Sequence, residues 1–198
     1  MTLKSYGGKK IVEMAERASR KQNISKVSKD FYKTLYEAFK KEQNKKRSPG
    51  DRHALRSCIA EAMNSLIQHL VEIDKNIKEI TYKIEVPGLP RGKFPDYALQ
   101  KGNKVYLIEQ KSILQFNEFS QVFYEALLAR QFKGSKRIYF AGLFNYLHQE
   151  REPFEMLCKF ERKKIIHHLC VLIPEKEYTE YSTDEVDKLF NSIKNWLV

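Results

Sequence analysis

The hydrophobic period of the chain changes three times between residues 52 and 144, and this succession restricts the fold more than any other feature. Leu55, Ile59, Ala62, Met63, Leu66, Leu70 and Ile73 recur every three or four residues, which predicts one long amphipathic helix over about 52–74. The period then drops to two. Ile80, Tyr82, Ile84 and Val86 alternate with Thr81, Lys83 and Glu85, the pattern of a strand with one buried face, and Pro87-Gly88-Leu89-Pro90 ends it. Phe94–Leu99 reads as a second strand and Val105–Lys111 as a third. The turn residues Lys101-Gly102-Asn103-Lys104 join these two into a hairpin. Residues 116–131 return to helical spacing through Phe119, Phe123, Ala126, Leu127 and Ala129. After Gly134, Arg137–Phe144 is again a strand.

The flanks extend the same alternation. Residues 9–22 and 28–46 read as Lys-rich helices, the second with Phe31, Leu35, Ala38 and Phe39 on one stripe. Arg47-Ser48-Pro49-Gly50-Asp51 is a breaker. Residues 151–166 are expected to be helical, His168–Ile173 a strand, and 183–197 a closing helix capped by Ser182 or Thr183. The fold class that follows is α/β, with a mixed β-sheet flanked by helices on both faces. The expected division is a basic helical arm over 1–50, part of the same domain, and a core over 51–198.

A chain of 198 residues buries a sizeable core without disulfide or metal staples. No apolar run approaches the roughly 18–20 residues that a membrane helix needs. The first residues have no apolar stretch like that of a secretory leader, so a cytoplasmic location is expected. Cys58, Cys158 and Cys170 are odd in number and without a CxxC pair, which argues against a disulfide framework or zinc knuckle. Net charge is +11 and unevenly spread: the first 52 residues hold 15 basic and 6 acidic side chains, leaving 21 and 19 for the remaining 146. An electropositive first quarter favours a polyanionic partner, because Lys and Arg release counterions from phosphate. The alternative is a solvated face on Lys-rich helices.

The segments that carry chemistry are Phe94-Pro95-Asp96-Tyr97 and, across the hairpin, Ile108-Glu109-Gln110-Lys111-Ser112. Side chains alternate faces along a strand, so Glu109 and Lys111 project together, and hairpin pairing brings Asp96 beside them. Two carboxylates held close repel unless a cation neutralises them. Mg2+, or Mn2+ in its place, suits a few carboxylate oxygens completed by water and phosphate. Glu109 and Lys111 also end the apolar run Val105-Tyr106-Leu107-Ile108, the mark of a central buried strand. Charges in such a place are more often functional than a solvated surface pair.

This Pro-Asp and Glu-x-Lys arrangement, with a helix before it and a helix and strand after it, resembles the PD-(D/E)xK nuclease superfamily over about residues 52–145. The resemblance implies a restriction-endonuclease-like core and Mg2+-dependent hydrolysis of DNA phosphodiester bonds, in the style of small type II restriction endonucleases acting as homodimers on double-stranded DNA. It implies Asp96 and Glu109 as metal ligands, the backbone carbonyl of Gln110 as another, and Lys111 as the catalytic lysine that positions the attacking water. Members often add an acidic residue from the preceding helix. Glu61 is the first candidate and Glu72 the second, with Glu85 on the first strand as a further one. Glu61 lies nearly opposite the apolar stripe of its helix, so a solvent-facing glutamate is its plain alternative. Lys40, Lys41, Lys45, Lys46, Arg47 and Arg52 are candidates to clamp phosphates, a role that positions nucleic acid without reading its sequence.

Three rival readings stay open. The same core serves repair, recombination or phage nucleases. It also resembles viral cap-snatching RNA endonucleases, for which His53 is the candidate helical histidine. From another class comes a non-catalytic basic nucleic-acid-binding protein. Gln121 and Tyr124 have two residues between them, where RecB-like members place three, so they read as a polar helix face and a core tyrosine. His167, His168 and Cys170 read as a polar strand entry and a buried thiol. No phosphate-binding GxxxxGK[ST] motif is present.

Overall fold

The computed structural model describes residues 13, 15–20, 22–43, 51–111, 116–144, 165–172 and 184–198, apart from the side chains of 43, 51–53, 89, 90, 116, 144 and 184. The described residues form four long helices, α1 (Lys26–Gln43), α2 (Asp51–Ile73), α3 (Phe116–Gln131) and α4 (Asp184–Leu197). The strands are β1 (Lys78–Glu79), β2 (Ile84–Val86), β3 (Leu89–Lys93), β4 (Tyr97–Lys101), β5 (Lys104–Lys111), β6 (Arg137–Phe144) and β7 (His168–Val171).

Five strands form one mixed sheet in the order β1-β4-β5-β6-β7. β1, β4 and β5 pair antiparallel, whereas β6 and β7 run parallel to β5. The β4–β5 hairpin turns at Gly102, whose φ of +58° a residue with a Cβ rarely adopts. The β5–β6 crossover contains α3, because parallel neighbours need a long connection.

Alternation along β5 divides the interior. Tyr106 and Ile108 face one side, where with Tyr97, Leu99, Ala141, Leu143 and Cys170 they meet α1, α2 and α4. Val105 and Leu107 face the other, where with Ala98 and Phe140 they meet α3 and Ile84. The sheet is therefore covered on both faces. On α1, Phe31, Tyr32, Leu35 and Phe39 are fully buried in the same core as Ile59, Met63 and Leu66 of α2. Ser25 caps α1 by accepting the Ser28 N–H at 3.0 Å. No described helix is long and apolar enough to cross a membrane.

The expected strand over Ile80–Val86 is corrected by the structure. The Ile80 N–H still reaches the Ala98 carbonyl at 2.9 Å, but then the chain leaves the main sheet. β2 pairs instead with β3 as a separate two-stranded ribbon. The alternating residues Ile80, Tyr82 and Val86 do pack inward, against the α3 side of the core. Hydrophobic alternation reports that burial without reporting which sheet the segment joins. Pro87-Gly88 turns the ribbon, with Val86 opposite Leu89. Pro90 is tolerated in β3 because a two-stranded ribbon has free edges. The second core strand begins at Tyr97, not Phe94, since Pro95 has no N–H to donate to a ladder. The strand over Arg137–Phe144 and the helix over 116–131 are as expected. Most of the helix expected over 151–166 lies outside the described residues, as do both proposed caps of α4.

Candidate active site

β5 carries its apolar run into the middle of the sheet and ends in Glu109, Gln110 and Lys111. Glu109 is 3% exposed and Gln110 2%, so both polar side chains lie in the interior. Gln110 points to the α1–α2–α4 side, where its Oε1 accepts the Tyr97 hydroxyl at 3.0 Å. Burial, with the Asp96 charge adding to it, pushes the Tyr97 phenol well above its ordinary pKa, so it stays a donor. Glu109 and Lys111 point to the α3 side, and Lys111 Nζ donates to Glu109 Oε1 at 2.7 Å. The position beside Glu109 on β6 is Gly142, so no side chain crowds it from that strand.

Asp96 immediately precedes β4, and the Tyr97–Ile108 pairing sets it level with Glu109. Its Oδ2 accepts the backbone N–H of Gln110 at 2.8 Å. Its Oδ1 accepts from Arg56 Nη2 of α2. Burial opposes the charge on Arg56, but Asp96, Glu109 and Tyr97 outweigh it and raise the guanidinium pKa. The structure thus brings Asp96, Glu109, Gln110 and Lys111 together at one end of β5.

Three further residues join them. Lys93, the last residue of β3, lies 3.6 Å from Glu109 Oε1 and touches Glu125 Oε1 of α3. Burial lowers the pKa of the Lys93 ammonium and Lys111 adds to this, while Glu109 and Asp96 oppose it. Glu125 is 1% exposed. Its sequence signal was present: Val122, Glu125, Ala126 and Ala129 form one i, i+3, i+4, i+7 stripe, and Glu125 is the carboxylate on it. Lys93 has no such signal, because the alternation over Ile80–Val86 does not distinguish the ribbon that delivers it from a strand of the main sheet. Arg56 sits on an exposed flank of its helix and only the Asp96 contact distinguishes it.

Other candidates lie elsewhere. Glu61 is half-exposed and 3.8 Å from Lys41 of α1, the arrangement of its solvent-facing alternative. Its place on the solvent face follows from the helical repeat. Glu72 faces His69 at 3.6 Å, and Glu85 is exposed beside Lys83 at 3.4 Å. Lys40 lies over the Tyr36 ring at 4.4 Å. Lys40 and Lys41 are exposed on α1. Lys45, Lys46 and Arg47 lie outside the described residues, as do the side chains of Arg52 and His53. Gln121 and Tyr124 are exposed on α3, so Tyr124 is not the core tyrosine expected. Cys58 and Cys170 are buried free thiols.

The donor set fits a hard divalent cation. Asp96, Glu109 and the Gln110 carbonyl offer oxygen only, which suits Mg2+ or Mn2+. Glu109 Oε2 is buried and has no hydrogen-bond partner among the described residues, a position a cation would satisfy. Among the described residues no three His, Cys, Asp or Glu side chains converge as a metal cage. No family model matches the chain, and no curated protein and no solved structure matches it either.

Proposed function

We propose that this protein is a divalent-metal-dependent endonuclease that hydrolyses DNA phosphodiester bonds, in the manner of a small type II restriction endonuclease with the PD-(D/E)xK core. The observation that carries this reading is the meeting of Asp96, Glu109 and Lys111 at the buried end of a central strand, with Asp96 tied to that strand by the Gln110 N–H. The element order supports it too: a helix, an antiparallel hairpin bearing the motif, a crossover helix and a parallel strand.

A bound Mg2+ or Mn2+ would neutralise charge at the scissile phosphate and activate a water. Asp96 and Glu109 would hold it with the Gln110 carbonyl. The Gln110 N–H fixes one oxygen of Asp96, which sets the direction of the other. Lys111 donates toward the same edge, where it orients the attacking water and offsets charge that builds on the phosphate. The basic residues of α1 would hold the flanking backbone, and a homodimer would present one such site to each strand.

Incubation with plasmid DNA and Mg2+, with EDTA as control, tests the reading. Discrete fragments support a restriction enzyme, and a smear a repair, recombination or phage nuclease. Intact DNA beside degraded RNA supports an RNA endonuclease of the cap-snatching kind. One observation favours a reading from another class: each carboxylate of the cluster already has a protein cation beside it. In a non-catalytic nucleic-acid-binding protein the cluster would be a structural ion-pair network, and both nucleic acids would stay intact.

A further inference from the structure

The carboxylates of Asp96, Glu109 and Glu125 are each met by a cation of the chain itself. Arg56 holds Asp96, Lys111 holds Glu109, and Lys93 stands between Glu109 and Glu125. These cations are not alike. The Lys111 side chain is 11% exposed and shares a strand with its partner. Arg56 is 52% exposed; Lys93 is 30% exposed along its stem, its ammonium lying inside, and the two arrive from α2 and from the ribbon. The carboxylates, by contrast, are fixed: Asp96 by the Gln110 N–H, Glu109 and Glu125 by burial. A closed ion-pair cluster would leave no acceptor idle, yet Glu109 Oε2 has no hydrogen-bond partner among the described residues.

We propose that Arg56 and Lys93 are exchangeable counter-ions of this site, which hold the carboxylates in the free protein and pass to the phosphodiester backbone when nucleic acid binds, so that a divalent ion and the nucleic acid bind cooperatively. This rests on the nuclease reading for the identity of the two ligands. Guanidinium and ammonium groups pair with phosphate as readily as with carboxylate. A divalent ion arriving alone must displace both cations into water. A phosphate arriving alone must draw them off buried carboxylates. Together, each displaced group finds a partner, and the coupling is reciprocal by linkage. Arg56 and Lys93 are thereby assigned to the substrate backbone as well as to the resting cluster.

Isothermal titration of Ca2+ into the full chain, alone and with a saturating short DNA duplex, reads the coupling. The duplex is expected to tighten Ca2+ binding about tenfold. The Arg56→Gln/Lys93→Met variant is expected to bind Ca2+ alone about tenfold more tightly than the wild type and to lose the dependence on duplex. Arg56→Gln by itself, at a half-exposed side chain, gives part of that gain if Lys93→Met does not fold. Ca2+ binding that is indifferent to the duplex and to both substitutions overturns the exchange and leaves the nuclease reading to the plasmid assay. An absence of Ca2+ binding in wild type and variants alike overturns both.

Discussion

Asp96 Oδ2 accepts the backbone N–H of Gln110 at 2.8 Å across 14 residues of sequence. Asp96 has left the β4 ladder, which starts at Tyr97, so this bond holds its carboxylate level with Glu109. A short polar bridge at the mouth of a hairpin thus does what strand pairing no longer does there.

Alanine at Asp96, Glu109 or Lys111 is expected to lower the cleavage rate by about 100-fold or more, the scale seen when one electrostatic group is removed from an active site. Binding of the same DNA, measured by fluorescence anisotropy, is expected to stay within a few-fold of wild type. Unchanged cleavage by all three variants would overturn the hydrolytic reading.

Glu125→Ala leaves Lys93 without its closest partner and removes a carboxylate that is 1% exposed. Breaking a buried pair costs about 3–5 kcal/mol, and the loss expected here is of that order because the Lys93 ammonium left behind is itself buried. Urea denaturation measures it. Lys93→Met/Glu125→Leu, which removes both charges, is expected to recover most of that stability. A double variant as unstable as the single one would mean that the pair does not act as a unit.

Gly92 adopts a φ of +62°, and a Cβ there would stand 2.7 Å from both the Ile84 carbonyl oxygen and Lys83 Cε. Gly92→Ala is expected to cost roughly 1–2 kcal/mol from the left-handed backbone alone. Because Lys93 follows directly, the same change shifts that ammonium and is expected to lower cleavage as well as the thermal midpoint.

Burial lowers the pKa of His168, Lys188 adds to the effect, and Glu185 opposes it. The folded value lies below the unfolded one near 6.5, so between the two the unfolded chain binds more protons. Stability contributed by the neutral ring is present above about pH 6.5 and is lost as pH falls toward the folded value, at up to about 1.4 kcal/mol per unit. Thermal midpoints measured from pH 7 down to pH 5 are expected to fall, and His168→Gln to flatten that fall. An equal slope in the variant would refute the assignment.

The parts of the fold visible in the sequence are those where one period runs long enough to name an element and its buried side. The α2 stripe from Leu55 to Leu70 and the apolar run of β5 are of this kind, whereas Ile73 and Leu127, which the spacing places on the buried sides of α2 and α3, are exposed. The ribbon was not legible, because Ile80–Val86 alternates whether it joins the main sheet or folds over it. That single ambiguity hid Lys93. Glu109 and Lys111 stand out because they end an apolar strand, and Asp96 because hairpin pairing sets it beside them. Glu61 stood out only by residue type, and its helical phase against Leu55 and Leu66 already pointed it outward.

Trp196 is the one tryptophan of the chain, 5.2 Å from the Tyr139 ring, which itself stacks on Tyr106 at 4.7 Å. The trio lies on the side of the sheet that Glu109 does not face. Its fluorescence is therefore a native optical gauge of α4 docking, one that separates melting of that layer from local disturbance among the charges behind it.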